Sequence, residues 1–250
     1  MRSQMHKALG VMREAITSGL DKDLRSNSGM SGGNAYRMKA AIDDGKLEDN
    51  IFNRATVYSL ATSETNACMG KIVAAPTAGA AGVLPAVLIA AAEINNIDDE
   101  KIVDALYFAG EIGMRIVKLA SLSGAQGGCQ AECGSAAAMA AAAMVYLVGG
   151  TCVQSEHAAA IAMKALLGLV CDPIAGLVEV PCVKRNANSA TVAITSANMA
   201  LAGVESVIPF NEVIMAMKHI GNCIPSELKE TGQGGCATTE TGKRIAADCL

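Results

Sequence analysis

The stretch "SAAAMAAAAMVYLV" (residues 135–148) carries no charge and consists mainly of alanine. Alanine has the highest helix propensity, so the stretch is predicted to form an α-helix. Because this helix would lack a polar face, it is expected to be buried. Small side chains also let neighbouring helices approach closely. The stretch therefore predicts a buried helix in a tightly packed helical protein.

The whole chain of 250 residues has the same character, since 51% of it is hydrophobic, only 3% is aromatic and tryptophan is absent. Its apolar residues are chiefly Ala, Val, Leu, Ile and Met, and of these Ala and Met are strong helix formers. We predict an all-α fold, a single bundle of about eight to ten helices whose loops are rich in glycine and cysteine. No repeat or domain boundary is evident, so residues 1–250 are interpreted as one domain. Its first thirty or so residues are expected at the periphery, and residues 231–250 as a candidate mobile tail.

Apolar periodicity and helix-breaking residues locate the individual helices. Asp98 and Ser155 are predicted to cap the helices that they precede, because their side chains can accept a hydrogen bond from the first turn. Helices are expected to begin near Ala35 and to resume at Val83 after "PTAGAAG". The other predicted helices span residues 1–19, 49–70, 98–122, 135–148, 155–169, 186–201 and 211–222.

Charge and hydropathy argue against two classes of partner. The formal net charge is −4 and no cluster of Lys or Arg occurs, so nucleic-acid binding has no electrostatic basis. The uncharged runs 72–92 and 136–153 are long enough to cross a bilayer. However, the first is interrupted by proline and glycine and the second is mainly alanine, so both are predicted to be core segments. The N-terminal sequence does not resemble a signal peptide, and we expect a cytoplasmic protein.

Nine cysteines in a chain expected to be cytoplasmic favour metal binding or catalysis over disulfides. Cys129, Cys171, Cys182 and Cys236 lie in or beside glycine-containing loops, where backbone N–H groups can approach a thiolate and stabilise it. Their spacing matches neither a zinc ribbon nor a ferredoxin. From spacing alone, a metal site and a set of buried, inert cysteines remain equal alternatives.

Two further loops, "SGMSGGNA" and "APTAGAAG", precede predicted helix starts. Backbone N–H groups at a helix N-terminus can bind a carboxylate or phosphate, although ordinary capping explains the same pattern. The three histidines, His6, His157 and His219, are scattered and are interpreted as surface or cap residues. No sequence motif of a zinc or triad hydrolase occurs.

Taken together, the segments "SGGNAYRMKA", "NACMGKIVAAPTAGAAGVLPAVL", "SGAQGGCQAECGSAAAMAAA" and "CDPIAGLVEVPCVKRNA" resemble the alpha subunit of iron–sulfur-dependent L-serine dehydratase (L-serine ammonia-lyase). The resemblance runs from about residue 31 to about residue 243. It implies an all-helical catalytic domain in which Cys129, Cys171 and Cys182 hold a [4Fe–4S] cluster whose fourth iron is left for substrate. Cys133 is omitted because family members often carry an apolar residue there, and Cys68 and Cys152 are interpreted as core residues.

The resemblance further implies conversion of L-serine to pyruvate and ammonia by β-elimination, with an open iron site acting as a Lewis acid. Lys71, Thr77 and Gly79 are interpreted as a site for the substrate carboxylate, with capping as the alternative. Arg185 and Asn186, together with the neighbouring Lys184, follow Cys182 directly. They are expected to bind substrate or to surround the cluster; solvated charges at a helix start are the alternative.

Some members of this family carry a C-terminal cysteine that reaches the open iron when substrate is absent, and Cys249 is the corresponding candidate for a tail ligand or base. Cys236 is not expected to be a permanent ligand. The chain resembles the two-subunit type, so the partners implied are L-serine and a separate beta subunit, within a homo- or hetero-oligomer. Two alternatives are a related lyase acting on L-cysteine or L-threonine and a non-catalytic, cluster-binding helical subunit.

Overall fold

A computed structural model describes residues 2–249, and Met1 and Leu250 lie outside this range. Among the described residues no β-strand forms, and an isolated bridge between Cys171 and Lys229 is the only strand-like pairing. The predicted all-α fold is therefore confirmed. The helices are α1 (Arg2–Gly19), α2 (Asn34–Asp43), α3 (Ile51–Ala67), α4 (Val83–Ile94), α5 (Asp99–Leu119), α6 (Gly124–Gly127), α7 (Ser135–Leu147), α8 (Cys152–Ala165), α9 (Cys182–Leu201), α10 (Phe210–Cys223) and α11 (Glu240–Cys249).

Helix α7 lies at the centre of the bundle and packs against α4, α5, α8 and α9. Every residue of α7 is buried except Tyr146, whose ring stacks on Phe108 with 4.9 Å between the ring centroids. Alanine makes this arrangement possible, because four neighbouring helices can approach a helix of small side chains at once. The prediction of a buried helix from the alanine-rich stretch is confirmed.

The uncharged run 72–92 contributes helix α4, in which every residue from Val83 to Ala92 is buried. Helices α4 and α7 confirm that the helical parts of the two runs are core segments, whereas residues 149 and 151–153 at the end of the second run are exposed. Among the described helices, none is both long enough and apolar enough to cross a membrane.

Helix α1 packs against α3 and α5. Leu9, Met12 and Ile16 lie on the face of α1 that is buried there. The last residue of the helix, Gly19, lies so close to Ala61 of α3 that no Cβ atom could be accommodated between them. Although the start of the chain was expected at the periphery, α1 thus contributes one face to the core.

Helix ends follow local sequence signals, and one predicted cap is wrong. Asp98 accepts a hydrogen bond from the backbone N–H of Lys101, as predicted. Helix α8, by contrast, is capped by Thr151 and not by Ser155, because Thr151 and Gln154 form a reciprocal capping box. Ser155 is buried in the first turn instead. Cys152 is exposed at the start of α8 and is not a core residue, since it lies on the solvent side of that turn.

Two corrections concern the region of the predicted cysteine site. Helix α9 begins at Cys182, four positions earlier than predicted, so that Cys182 and Asn186 lie one turn apart on the same helix. The segment "TGQGGCATTETGK" (residues 231–243) was expected to be loop, but it contains the 3₁₀ turn Gly235–Thr238 and the first residues of helix α11. Helix α11 packs against the 3₁₀ turn Ile174–Gly176 in the loop between Cys171 and Cys182.

Candidate metal centre

The three cysteines predicted as ligands converge from three neighbouring parts of the bundle. Cys129 precedes the π-helical turn Gln130–Gly134 that leads into α7, Cys171 follows α8, and Cys182 begins α9. Helices α7, α8 and α9 pack against one another, which brings their connecting segments together. All three side chains are nearly inaccessible, with 3%, 4% and 9% of their surface exposed. A π-helical turn inside a helix is often found at a functional site.

Burial shapes the chemistry of these thiols. It raises the pKa of Cys171 well above its ordinary value and that of Cys182 to about 12, and in both cases the nearby Cys129 adds to the effect. Thiols of this kind stay protonated at neutral pH unless a metal or another positive charge takes the place of the proton. Three buried, mutually close thiols are therefore a fitting donor set for an iron–sulfur cluster, which is held by thiolates.

Cys133, which the sequence analysis omitted, is a fourth thiol of this group. Its Sγ lies 3.4 Å from the Sγ of Cys129, and its side chain is only 1% exposed. This hydrogen bond lowers the pKa of Cys129 and, together with burial, raises that of Cys133. The C-x₃-C spacing was the available signal, because residues four apart share one face of a helix.

The approach to Cys171 is lined by glycine. A Cβ atom at Gly124 would lie 3.3 Å from the Sγ of Cys171 and 2.9 Å from a carboxylate oxygen of Glu132. A Cβ atom at Gly79 would lie 3.3 Å from the same carboxylate. The backbone thus comes close to the thiol and the carboxylate from two loops, as the glycine-rich sequence around the cysteines suggested.

Two carboxylates beside Cys171 were missed by the sequence analysis. One oxygen of Glu132, one oxygen of Glu230 and the Sγ of Cys171 all lie within 4.8 Å of one another. Burial raises the pKa of Glu132, with a smaller opposing effect of Thr77. The Thr77 hydroxyl is itself buried and forms no regular hydrogen bond with a described residue. Glu132 lies three residues after Cys129, but nothing in its own sequence context distinguishes it from a surface carboxylate.

Arg185 is a cation that lies close to Cys129 and Cys182. Its Nη1 donates to Asp172 Oδ1 at 2.7 Å and to the carbonyl of Val170 at 2.8 Å. Although burial lowers the pKa of Arg185, the charge of Asp172 and the proximity of Cys129 raise it overall. Within residues 2–249, its Nε and Nη2 donate no hydrogen bond, so part of the guanidinium is available to another group.

Asn186 joins α9 to the glycine-rich loop that contains Thr77 and Gly79. Its Nδ2 donates to the carbonyls of Gly79 and Cys182 at 2.7 and 3.0 Å, and its Oδ1 accepts from the N–H of Gly82 at 3.1 Å. The side chain is 1% exposed. Its amide is thus fully occupied in holding the Thr77–Gly79 loop against the start of α9.

The remaining predicted residues lie farther out. Lys71 and Lys184 are exposed, and neither forms an ion pair with a described residue. The Cys249 thiol lies 3.8 Å from the carbonyl of Ser28. Cys236 is half-buried, and its backbone N–H donates to Asp172 at 2.7 Å.

The loop "SGGNA" binds an anion, but the anion belongs to the protein itself. The carboxylate of Glu64, which is completely buried on α3, accepts hydrogen bonds from the backbone N–H groups of Gly32, Asn34 and Ala35 at 3.1 Å. These groups form the N-terminus of α2, where a negative charge is favoured. The capping interpretation of this loop is therefore the right one, with a partner from a distant helix.

A second internal carboxylate fixes the loop between Cys171 and Cys182. Glu179 is 6% exposed and accepts hydrogen bonds from the hydroxyls of Ser26 and Ser28 at 2.6 and 2.8 Å. The N-terminal segment and the cysteine loop are thereby held together.

Comparison with known proteins identifies the family of this chain. The family model described as "Serine dehydratase alpha chain" matches residues 1–237. The "Probable L-serine dehydratase, alpha chain" of Bacillus subtilis is 51% identical over 243 residues, which are 97% of this chain and 81% of that protein. The "L-serine dehydratase, alpha chain" of Peptoniphilus asaccharolyticus is 47% identical over 251 residues, which cover 100% of this chain and 86% of the relative.

A longer relative, the "L-serine dehydratase" of Streptomyces coelicolor, is 40% identical over 235 residues, which cover 91% of this chain but 51% of that protein. The matched regions include the three converging cysteines and the loops that surround them. The chain belongs to the serine dehydratase alpha chain family.

Proposed function

We propose that this protein is the alpha chain of an L-serine dehydratase, a lyase that converts L-serine to pyruvate and ammonia. One observation carries the proposal: Cys129, Cys171 and Cys182 are buried together between neighbouring helices, in a chain that belongs to the serine dehydratase alpha chain family. Membership in the family, together with the names of several relatives, supports the reaction.

We propose that these three cysteines hold a [4Fe–4S] cluster. Their burial and mutual proximity supply thiolate ligands, and Arg185 lies close enough to Cys129 and Cys182 to offset negative charge. When bound, such a cluster supplies an iron with an open coordination position that acts as a Lewis acid. Asn186 and Asp172 support the centre indirectly, because they fix the positions of the Thr77–Gly79 loop and of Arg185.

The substrate site is proposed beside Cys171, between the Thr77–Gly79 loop and Arg185. The Thr77 hydroxyl has no regular partner, and Arg185 has N–H groups free to bind a carboxylate. Gly79 leaves room next to the loop, and Lys71, which is exposed on the chain leading to it, adds positive charge at the entrance. Asn186, also predicted to bind substrate, is proposed to position this loop.

β-Elimination requires a base that removes the α-proton while the hydroxyl leaves as water. We propose Cys249 as a tail ligand or base. Its thiol contacts the carbonyl of Ser28, and the Ser28 hydroxyl donates to Glu179 in the loop between Cys171 and Cys182. This chain of contacts connects the end of α11 to the proposed centre.

We also propose that a separate beta subunit completes the enzyme within a homo- or hetero-oligomer, in line with the term "alpha chain" in the names of relatives. A cytoplasmic location is proposed as well, because all nine cysteines are free thiols and a reducing compartment keeps them so. The alternatives are a lyase that acts on L-cysteine or L-threonine and a cluster-binding subunit without catalysis of its own.

Coexpression with a candidate beta subunit, anaerobic purification and an assay for pyruvate from L-serine test this proposal. The wild-type complex should contain iron and sulfide and release pyruvate. Cys171→Ala should lose both properties, whereas Cys152→Ala, at an exposed cysteine, should keep them. Turnover that survives Cys171→Ala would refute the cluster mechanism. Preferred release of ketobutyrate from L-threonine, or of pyruvate from L-cysteine, would favour a related lyase. A complex that contains the cluster but turns over none of these substrates would favour a non-catalytic subunit.

A further inference from the structure

Cys133 stands apart from the three proposed ligands, yet it is the thiol in closest contact with one of them. Its Sγ lies 3.4 Å from the Sγ of Cys129, and both side chains are almost completely buried. Because residues 130–134 form a π-helical turn, the two cysteines lie on adjacent turns of one helical segment with their thiols in contact.

Within the described residues, the thiol of Cys133 makes one hydrogen bond, to Cys129. The Cys133 side chain is otherwise enclosed in the apolar core that α7 forms with its neighbours. A buried S–H group in such surroundings is a weak donor that turns towards the acceptor within reach. In the structure the Cys129 thiol is the donor and the sulfur of Cys133 is the acceptor. A cysteine that binds iron is a thiolate without a proton, so once Cys129 holds the cluster only Cys133 can donate.

The same distance argues against Cys133 as a fourth ligand. Thiolates bound to different irons of a cubane cluster extend from separate corners, so their sulfurs cannot be in contact with each other. Cys129 and Cys133 are in contact, so in this arrangement only one of them can hold an iron. Cys129 belongs to the set that converges with Cys171 and Cys182.

We propose that Cys133 is a positioning residue that donates an S–H···S hydrogen bond to the ligand sulfur of Cys129 and thereby raises the reduction potential of the cluster. This inference rests on the proposed function, because it presupposes the three-cysteine cluster. Hydrogen bonds to a ligand sulfur draw electron density away from the irons, which favours the reduced form and slows oxidation.

Three variants of the two-chain complex, purified anaerobically, test this inference. Cys133→Ala removes the donor, Cys133→Ser keeps a donor in its place, and Cys152→Ala is the control at an exposed cysteine. The measurements are iron and sulfide per chain, the reduction potential from a redox titration followed by electron paramagnetic resonance, and the rate at which visible absorbance is lost in air.

All three variants should bind as much iron and sulfide as the wild type. Cys133→Ala should shift the reduction potential to a more negative value and lose its absorbance faster in air. Cys133→Ser and Cys152→Ala should stay close to the wild type. This rescue by serine distinguishes a hydrogen bond from mere packing.

An unchanged potential in Cys133→Ala would overturn the inference, and so would loss of the cluster in both Cys133 variants, which would identify Cys133 as a ligand. A wild-type complex without iron and sulfide would instead refute the proposed function itself, and this inference with it. The two failures are thus distinguished by the wild-type measurement alone.

Discussion

Asp172 and Arg185 form an ion pair in which Oδ1 and Nη1 are 2.7 Å apart and the two side chains are 3% and 18% exposed. The second oxygen of Asp172 accepts a hydrogen bond from the backbone N–H of Cys236. Although burial opposes it, these hydrogen bonds hold the pKa of Asp172 below its ordinary value. One carboxylate therefore links the cysteine loop, helix α9 and the C-terminal segment.

Replacing Asp172 with Asn should destabilise the protein by about 3 kcal/mol, because it leaves the guanidinium of Arg185 buried without its counter-charge. The free energy of unfolding from urea titration measures this loss. Asp43→Asn is the matched control, since Asp43 pairs with Lys39 in an exposed i,i+4 ion pair that should contribute little. Equal effects of the two substitutions would show that the burial of the Asp172 pair has no energetic consequence.

Replacing Glu64 with Gln should lower the free energy of unfolding by about 2–4 kcal/mol. The amide keeps one acceptor oxygen, so some N–H donors at the N-terminus of α2 lose their partner. The melting temperature should fall accordingly. Glu14→Gln, at an exposed carboxylate on α1, is the control and should have little effect. A melting temperature unchanged by Glu64→Gln would mean that water can replace this buried carboxylate.

Two glycines of the same helix should respond in opposite ways to substitution by Ala. A Cβ atom at Gly19 would lie 2.0 Å from the backbone oxygen of Ala61. Gly19→Ala should therefore force α1 away from α3 and lower the free energy of unfolding by about 1–3 kcal/mol. Gly10 has no atom within 4 Å of such a Cβ, so Gly10→Ala should stabilise the protein by about 0.5–1 kcal/mol through helix propensity. Thermal or urea unfolding measures both, and a shift of the same sign would contradict the proposed close approach of the helices.

Local sequence was sufficient for the parts of the fold that depend on local physics. The alanine content of residues 135–148 predicted a buried helix, and Asp98 was predicted as a cap, because composition and capping act within a few residues. Ser155 failed as a predicted cap for the same kind of reason, since the competing capping box of Thr151 and Gln154 lies just upstream.

The carboxylates around the site could not be predicted in this way. Glu179 meets Ser26 across 153 positions of sequence, and Glu64 meets Gly32 across 32. No periodicity or local motif encodes such pairs, because they exist only once the helices have packed. The cysteines at 129, 171 and 182 could be predicted as ligands only because the resemblance to a family supplied the missing long-range information.

The hydrogen bonds from Ser26 and Ser28 to Glu179 should couple the N-terminal segment to the loop between Cys171 and Cys182. Glu179→Ala should destabilise the protein by about 2 kcal/mol, since bonds to a charged acceptor are stronger than neutral ones. It should also speed amide hydrogen exchange in residues 24–31, which are held by those bonds. Glu227→Ala, at an exposed carboxylate, is the control.

A double-mutant cycle distinguishes this coupling from a general loss of stability. The Ser26→Ala substitution should lower the free energy of unfolding less in the Glu179→Ala background than in the wild type. In that background the Ser26 hydroxyl has already lost its acceptor. The Ser26 hydroxyl lies 2.6 Å from Glu179, so the interaction free energy should be at least about 0.5 kcal/mol. Strictly additive effects, with hydrogen exchange in residues 24–31 unchanged, would show that the two segments fold independently. The N-terminal segment would then have no influence on the cysteine loop, or on the Cys249 thiol that contacts it through Ser28.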